Sequence, residues 1–279
     1  MHVRGASFID AVKQLTDDRS TNFSYQTVKH EPIKITERIP FELPSKNKDT
    51  SRVSRYLAGR GIDREIIDSC FNQKILYESA KYHSAVFIGR DTNNTARFAC
   101  VRGTADNFKQ DISGSDKRFN FCLPPADNKC KTLLAFESAI DALSFATIRK
   151  MNKGTWNDLH YLSLSGTSSL AAVQYLKDHP DIDRVCLCLD NDRAGRDGMA
   201  KITKAILSDS VLKKQISQVA IRPPKIGKDY NETLCTILKQ RKETKEKSSV
   251  LEALKACAEK MCSQSMEKQT PLKACSIER

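Results

Sequence analysis

Short apolar segments alternate with amphipathic segments in the second half of the chain. Strand-like runs lie at residues 132–136, 161–164, 185–189 and 218–221, and apolar residues at helical spacing follow the first three of them. Short apolar strands that alternate with helices are typical of a parallel sheet with helices on its faces. The pattern therefore predicts an α/β domain over residues 131–240.

The first half has a different pattern, which predicts a small α+β subdomain over residues 51–130. Two short amphipathic helices are indicated between residues 51 and 71, separated by Gly59 and Gly61 and with Asp63 as the cap of the second. Strand-like pieces follow at residues 75–77, 85–88 and 96–101, the last two joined by a polar turn at 91–94. Residues 114–121 are expected to close this antiparallel part.

The two ends of the chain are more polar. Residues 1–50 combine a short amphipathic segment at 8–15 with a tract punctuated by Pro32, Pro40 and Pro44, which indicates a remnant of a preceding module and an extended linker. Residues 241–279 are rich in Lys and Glu, with Leu251 and Leu254 at helical spacing. We predict a solvated C-terminal helix with a frayed tail.

Composition narrows the class of partner. The 279 residues include 46 Lys and Arg against 34 Asp and Glu, a formal net charge of +12, which favours nucleic acid as a partner. No apolar run reaches the roughly 18 residues that a membrane span needs, and the N-terminus lacks an apolar signal core, so we expect a cytoplasmic protein without membrane contact. The ten cysteines contain no Cys-x-x-Cys pair, which favours reduced thiols over a zinc site.

Four acidic residues lie where the predicted parallel strands end. Asp190 and Asp192 follow one strand, Glu137 follows another, and Asp229 follows the fourth. Ligands of such sheets bind at the carboxyl ends of the strands, and residues two apart on an extended segment point the same way. Converging carboxylates repel unless a cation lies between them, and Mg²⁺ is the usual one. A lone Asp-x-Asp is also compatible with a solvated strand end.

These motifs resemble those of the toprim domain, which bacterial primases share with type IA and II topoisomerases and the OLD-type nucleases. The matching segments are residues 136–142, 166–167, 189–195 and 228–232, in the family order. The resemblance implies a short parallel sheet flanked by helices. It also implies metal-binding roles for Glu137, Asp190, Asp192 and Asp229, of which the first three would be catalytic. The family usually has a further acid where this chain has Asn231, whose carbonyl oxygen could still ligate a metal.

Upstream, residues 56–62, 85–100 and 115–119 resemble the subdomain that precedes the toprim domain of bacterial primases. The likeness is to primase-like proteins of bacterial mobile elements, whose longer members begin with a zinc-binding module. Residues 5–12 resemble the tail of that module, while its Cys and His ligands are missing. The chain is thus expected to be a truncated copy or to work with a separate zinc-binding module.

The resemblance implies a metal-dependent nucleotidyltransferase that makes primers on single-stranded DNA. Its expected cofactor is Mg²⁺ or Mn²⁺, its substrates are the DNA template and nucleoside triphosphates, and a replicative helicase is a candidate partner. Basic residues that could hold template or nucleotide phosphates, or could simply be solvated, are Arg97, Arg102, Lys117, Arg118 and Lys228.

Two other functions compete with this one. The same carboxylates could activate water in a metal-dependent nuclease, although the chain has no phosphate-binding Gly-x-x-x-x-Gly-Lys loop of the ATPase that usually accompanies OLD-type nucleases. Alternatively, the chain is a non-catalytic nucleic-acid-binding module that inherited the fold. The substitution at Asn231 favours this second alternative, whereas the retained Glu137, Asp190 and Asp192 oppose it.

Overall fold

Two helices and an antiparallel sheet make up the first part of the structure, a computed structural model that describes residues 39–127 and 129–267. The sheet has the order β1-β2-β3-β4, and each neighbouring pair is antiparallel. The elements of this part are α1 (Ser51–Gly59), α2 (Arg64–Asn72), β1 (Leu76–Glu78), β2 (Ala85–Arg90), β3 (Ala96–Arg102) and β4 (Lys109–Asp111).

A five-stranded mixed sheet forms the second part, with the order β5-β7-β6-β8-β9. Strand β5 is antiparallel to β7, and the other neighbouring pairs are parallel. The elements are β5 (Cys122–Leu123), β6 (Thr132–Phe136), α3 (Ala139–Met151), β7 (His160–Ser163), α4 (Leu170–Asp178), β8 (Arg184–Leu187), α5 (Arg193–Ser208), α6 (Leu212–Gln215), β9 (Gln218–Ile221) and α7 (Tyr230–Glu267). The predicted fold class, a short and mostly parallel sheet flanked by helices behind a small α+β region, is confirmed.

The side chains of the central strand β6 show how the sheet is covered. Leu134 and Phe136 point into a core shared with α1, α2, α3 and α7, whereas Leu133 and Ala135 point into a second core shared with α4, α5 and α6. This alternation is the two-residue period of a strand buried on both faces. The first core also includes residues of β1 and β2. The first part of the structure and the parallel sheet therefore share one hydrophobic interior.

Local sequence accounts for the helical hairpin. Val53 and Leu57, one turn apart on α1, are fully buried. Gly61 then adopts φ +84°, a left-handed conformation that glycine reaches without steric cost. The Asp63 carboxylate accepts a hydrogen bond from the Glu65 backbone N–H at 2.9 Å and caps α2, as predicted.

Three details differ from the sequence-based expectations. Strand β4 was not expected because its residues are polar; its backbone pairs with Cys100–Arg102 at the edge of the sheet. In the segment expected to close the antiparallel part, Phe121 forms a bridge with Gly89, and the next two residues join the second sheet as β5. Helix α7 begins at Tyr230 and continues past residue 240. The proposed domain boundaries stay predictions.

The extended segment that precedes α1 lies on the first sheet. The Pro44 carbonyl accepts a hydrogen bond from the Tyr77 hydroxyl at 2.7 Å, and Lys46 bridges Ser79. The predicted segment at 8–15 and the end of the predicted tail, from residue 268, lie outside the described residues. Within the described part, no helix is both long and apolar enough to cross a membrane.

Candidate active site

The candidate site lies at the carboxyl ends of the neighbouring parallel strands β6 and β8. Glu137 follows β6 directly, and Asp190 follows β8 after two more buried residues. Both line a cleft of about 500 Å³, whose walls also include Asp229 and residues of β3 and β4. Three of the four predicted acids therefore meet at one edge of the sheet, whereas Asp192 does not line the cleft.

Glu137 is half-buried, and its Oε1 atom is buried without a hydrogen-bond partner. Burial raises the pKa of this carboxyl, and the negative charges of Asp192 and Asp141 raise it further, while a backbone hydrogen bond from Asp190 lowers it. A buried carboxylate oxygen without a donor is costly. A bound cation would satisfy it.

Asp190 has a side chain that is only 14% exposed. Burial raises its pKa to about 6, with further contributions from the charges of Glu137 and Asp229. Lys228 opposes this increase. Two neighbouring acids with raised pKa values in one cleft are typical of a functional site.

Asp192 lies in a different environment from Asp190. Its Oδ1 accepts a hydrogen bond from the Gly195 backbone N–H at 2.8 Å and caps α5, and its Oδ2 lies 3.1 Å from Lys228 Nζ. These contacts lower the pKa of Asp192, the backbone hydrogen bond most. Lys228 Nζ also lies 3.7 Å from Asp190 Oδ2. The cation between the two aspartates in this structure is therefore an ammonium group.

In the turn between β8 and α5, the backbone at position 195 passes so close to Asp190 that only glycine fits. A Cβ atom at Gly195 would collide with the carbonyl oxygen of Asp190. The small residue therefore lets the helix start directly behind the strand end, which places Asp190 and the capping Asp192 on the same turn.

Asp229 lines the cleft, and its Oδ1 accepts a hydrogen bond from the Glu232 backbone N–H at 2.7 Å, which caps the start of α7. The carbonyl oxygen of Asn231, which could ligate a metal by the sequence-based expectation, is hydrogen-bonded within the protein. That oxygen accepts a hydrogen bond from Arg60 Nη1 at 3.0 Å, and its amide nitrogen donates to the Arg60 carbonyl and the Ser144 hydroxyl. Asn231 therefore joins α7 to the helical hairpin and to α3.

The predicted basic residues divide into two groups. Arg102 and Lys228 line the cleft. The other three are engaged in ion pairs and are absent from the lining of the cleft: Arg97 with Asp91 at 2.7 Å, Lys117 with Asp111 at 3.1 Å and Arg118 with Asp116 at 2.6 Å.

Sequence reasoning missed Asp141 as a separate member of the acidic site. Asp141 is buried on the first turn of α3 and lines the cleft; it accepts hydrogen bonds from the Ser138 hydroxyl at 2.6 Å and the Asn231 N–H at 3.2 Å. Burial raises its pKa to about 6, and the charges of Asp229 and Asp190 add to the increase. Its position four residues after Glu137, near the start of the predicted helix, was the available signal.

Arg60 and Lys109 also line the cleft and were missed. The Nε atom of Arg60 is buried without a hydrogen-bond partner, and its guanidinium carbon lies 5.1 Å from the centre of the Tyr56 ring. The only signal for these residues was their charge, which many surface residues share. Their location depends on how the first part packs on the second.

The residues at the strand ends fit a hard divalent cation held by few protein ligands. Among the described residues, no three His, Cys, Asp or Glu side chains form a ready metal-binding group. Glu137 and Asp190 nevertheless offer two carboxylates, one with a buried free oxygen. Mg²⁺ is commonly held by one or two carboxylates and otherwise by water and substrate phosphates.

Comparisons with known proteins agree with this architecture. Residues 134–234 match a family model described as Toprim-like, and residues 55–128 match one described as a protein of unknown function (DUF3991). The chain is 26% identical over 211 residues to an uncharacterized protein of Bacillus anthracis, pXO2-78, and the alignment covers 70% of the chain. The chain spans 58% of the length of that curated relative.

Among solved structures, the chain is similar to two primases. The primase fragment of the bacteriophage T7 primase-helicase protein aligns with a TM-score of 0.47 and 20% identity, which covers 68% of this chain and 72% of that chain. The E. coli primase catalytic core aligns with a TM-score of 0.45 and 15% identity, which covers 68% of this chain and 70% of that chain.

Proposed function

Because the chain carries a Toprim-like domain at residues 134–234, we propose that it is a primase-like, metal-dependent nucleotidyltransferase that acts on single-stranded DNA in mobile-element replication. The observation that carries the proposal is the pairing of Glu137 and Asp190 at adjacent strand ends inside a cleft that also contains Arg60, Arg102 and Lys109. Acids that hold a metal beside cations that hold phosphates suit phosphoryl transfer.

Each group has a separate task in this proposal. Glu137 and Asp190 would hold Mg²⁺ or Mn²⁺, with Asp192 and Asp229 beside them. The metal, when bound, supplies Lewis-acid activation of a 3′-hydroxyl and neutralises the triphosphate. Arg60, Arg102 and Lys109 would bind phosphates of the template or the incoming nucleotide without reading its sequence.

Lys228 adds to the lowering of the Asp192 pKa that the Gly195 backbone hydrogen bond causes, and it opposes the increase in the pKa of Asp190. Its side chain is 59% exposed, and in this proposal it would leave the aspartates and contact a nucleotide phosphate when Glu137 and Asp190 hold a metal. Lys228 would thus offset the charge of the two aspartates in the free protein and contact a substrate phosphate in the complex.

The test is a primer-synthesis assay with single-stranded DNA, labelled nucleoside triphosphates and Mg²⁺ or Mn²⁺. We expect short labelled products, and losses of at least about 100-fold in Glu137→Gln and Asp190→Asn because each removes a metal ligand. Asp197→Asn, on the exposed face of α5, is the matched control and should retain full activity. Loss of template without synthesis would instead identify a nuclease.

A non-catalytic binding module is the second candidate. The ammonium of Lys228 between Asp190 and Asp192 favours it, because a resident cation already offsets the repulsion of the two carboxylates. In that case the wild type and Asp190→Asn would bind single-stranded DNA equally well, and neither would synthesise primers or degrade the template.

A further inference from the structure

A second cavity lies on the face of the first sheet that points away from α1 and α2. This cavity, named the aromatic groove here, has a volume of about 940 Å³ and is bounded by residues 44–45, 79–82, 84, 101 and 103–106 and by Phe108, Gln110 and Ile112. Asp106, Phe108 and Gln110 border both the groove and the acidic cleft. The turn between β3 and β4 therefore separates the two cavities and is called the rim here.

Two aromatic side chains stand exposed at this groove. Tyr82 is 69% exposed and Phe108 is 49% exposed. Of the large hydrophobic side chains exposed in residues 39–127 and 129–267, these are the only aromatic ones. Leaving aromatic rings in water forgoes a large gain from burial, and apolar side chains gathered at an exposed cavity commonly mark a binding surface.

Four basic side chains lie around the groove and its rim, and Asp106 is the one acidic residue among those that line the groove. Lys81 lines the groove, Lys46 follows the lining residue Ser45 in the chain, and Arg102 and Lys109 line the cleft on the other side of the rim. In the part of the chain that the structure describes, none of the four forms an ion pair, unlike Arg97, Lys117 and Arg118. Lys81 Nζ lies 4.9 Å from the centre of the Tyr82 ring.

Asp106, the acid at the rim, is hydrogen-bonded within the turn. Asp106 Oδ1 accepts a hydrogen bond from the Phe108 backbone N–H at 3.0 Å, which holds the turn and fixes the position of the Phe108 residue. The turn therefore presents the Phe108 ring and the Asp106 carboxylate to both cavities, and Lys109 lies on the cleft side.

We propose that the aromatic groove binds the part of the single-stranded template that lies just outside the acidic cleft, on the other side of the rim. Bases would stack on Tyr82 and Phe108, and Lys81 and Lys109 would contact the phosphates on either side of the rim. Aromatic rings that alternate with cations are how sequence-independent single-strand sites are built. An apolar peptide could pack on the rings but would offer no negative charge to the cations. This inference rests on the proposed function, because it supplies the template path to that site.

Binding of a fluorescein-labelled oligothymidine of about 20 nucleotides, followed by anisotropy, tests the groove directly. Tyr82→Ala and Phe108→Ala should each weaken binding by at least about fivefold, since one stacked base is lost. Tyr82→Trp should restore wild-type affinity because the ring is retained. Leu207→Ala and Val211→Ala, equally exposed apolar positions on the far side, should have no effect. Unchanged melting temperatures would verify that all variants are folded.

An oligonucleotide with abasic positions separates stacking from charge. The wild type should bind it about as weakly as the Tyr82→Ala/Phe108→Ala double variant binds oligothymidine, and the double variant should not discriminate between the two strands. If both aromatic variants bind oligothymidine like the wild type, the groove proposal is wrong, even if primers are made. If binding depends on the groove but no primers are made, the groove proposal stands and the catalytic proposal fails.

Discussion

At the scale of single residues, environment separates aspartates that look alike in the sequence. Burial raises the pKa of Asp190 and of Asp141 to about 6. Asp192, two positions from Asp190, has a lowered pKa because it accepts a backbone hydrogen bond and faces Lys228. The difference follows from solvation and hydrogen bonding, which residue type alone does not specify.

Replacing Asp141 with Asn should stabilise the protein at neutral pH. The folded pKa of Asp141 lies above its unfolded value, so protonation favours the folded state: this contribution is present below about pH 4 and is lost as the pH rises through 6. Asn stays neutral and retains an acceptor for the Asn231 N–H. We expect a gain of up to about 2 kcal/mol at pH 7 and little change at pH 4.

Urea unfolding of the wild type and Asp141→Asn at pH 4, 5, 6 and 7 measures this difference. The gap between the two proteins should open between pH 4 and 6 and then stay constant. A gap that is the same at every pH, or that favours the wild type at pH 7, would show that Asp141 is not destabilised by its burial.

At the scale of elements, the starts of three helices supply the polar groups of the cleft. Ser138 caps α3, Asp192 caps α5 and Asp229 caps α7. In each case, a side-chain oxygen accepts a hydrogen bond from a backbone N–H that the helix leaves unpaired. Capping orients one oxygen of Asp192 and one of Asp229; the other oxygen of Asp192 faces Lys228, and Asp192 itself does not line the cleft.

The two roles of Asp192 can be separated by substitution. Asp192→Ser retains a capping oxygen for Gly195 and should change stability little, whereas Asp192→Ala should lose about 1 kcal/mol. Both should lose primer synthesis to the same extent if the second carboxylate oxygen serves the site. Thermal unfolding and the primer assay, run on the same preparations, check this. Equal stability of the two variants would mean that the cap contributes nothing.

At the scale of the whole molecule, the shared core holds the basic first part against the acidic strand ends. Buried residues of α1, α2 and β2 lie in the same cluster as residues of β6, α3 and α7. The net charge of +12 favours the approach of a polyanion over long range, and Glu137, Asp190 and Asp229 line the cleft. In the proposed function, this arrangement would bring a nucleic acid strand to the acidic edge of the sheet.

Affinity for single-stranded DNA should therefore fall steeply with salt. For single strands the slope of log K against log salt changes by about 0.7 for each phosphate contact. Arg102→Ala/Lys109→Ala should reduce the slope by about 1.4 if both side chains contact phosphates. Anisotropy titrations across a range of NaCl concentrations measure it. Lys204→Ala/Lys213→Ala, on α5 and α6 and away from the cleft, should leave the slope unchanged.

What the sequence alone determined is the part that depends on local periodicity. The alternation of apolar strands and helices predicted the parallel sheet, and the acids that follow β6 and β8 were placed at its carboxyl edge because parallel strands end on the same side. The cap at Asp63 also follows from residues a few positions apart. These features need only neighbours in the chain.

What only the tertiary structure decided depends on groups that are distant in the chain. The amide of Asn231 pairs with Arg60 across 171 positions, and its N–H reaches Asp141 across 90. Lys228 lies between Asp190 and Asp192 because the start of α7 packs beside the end of β8. Such contacts, and the pKa values they set, arise from how the elements pack and how much solvent that packing excludes. A one-dimensional pattern contains neither distance nor burial.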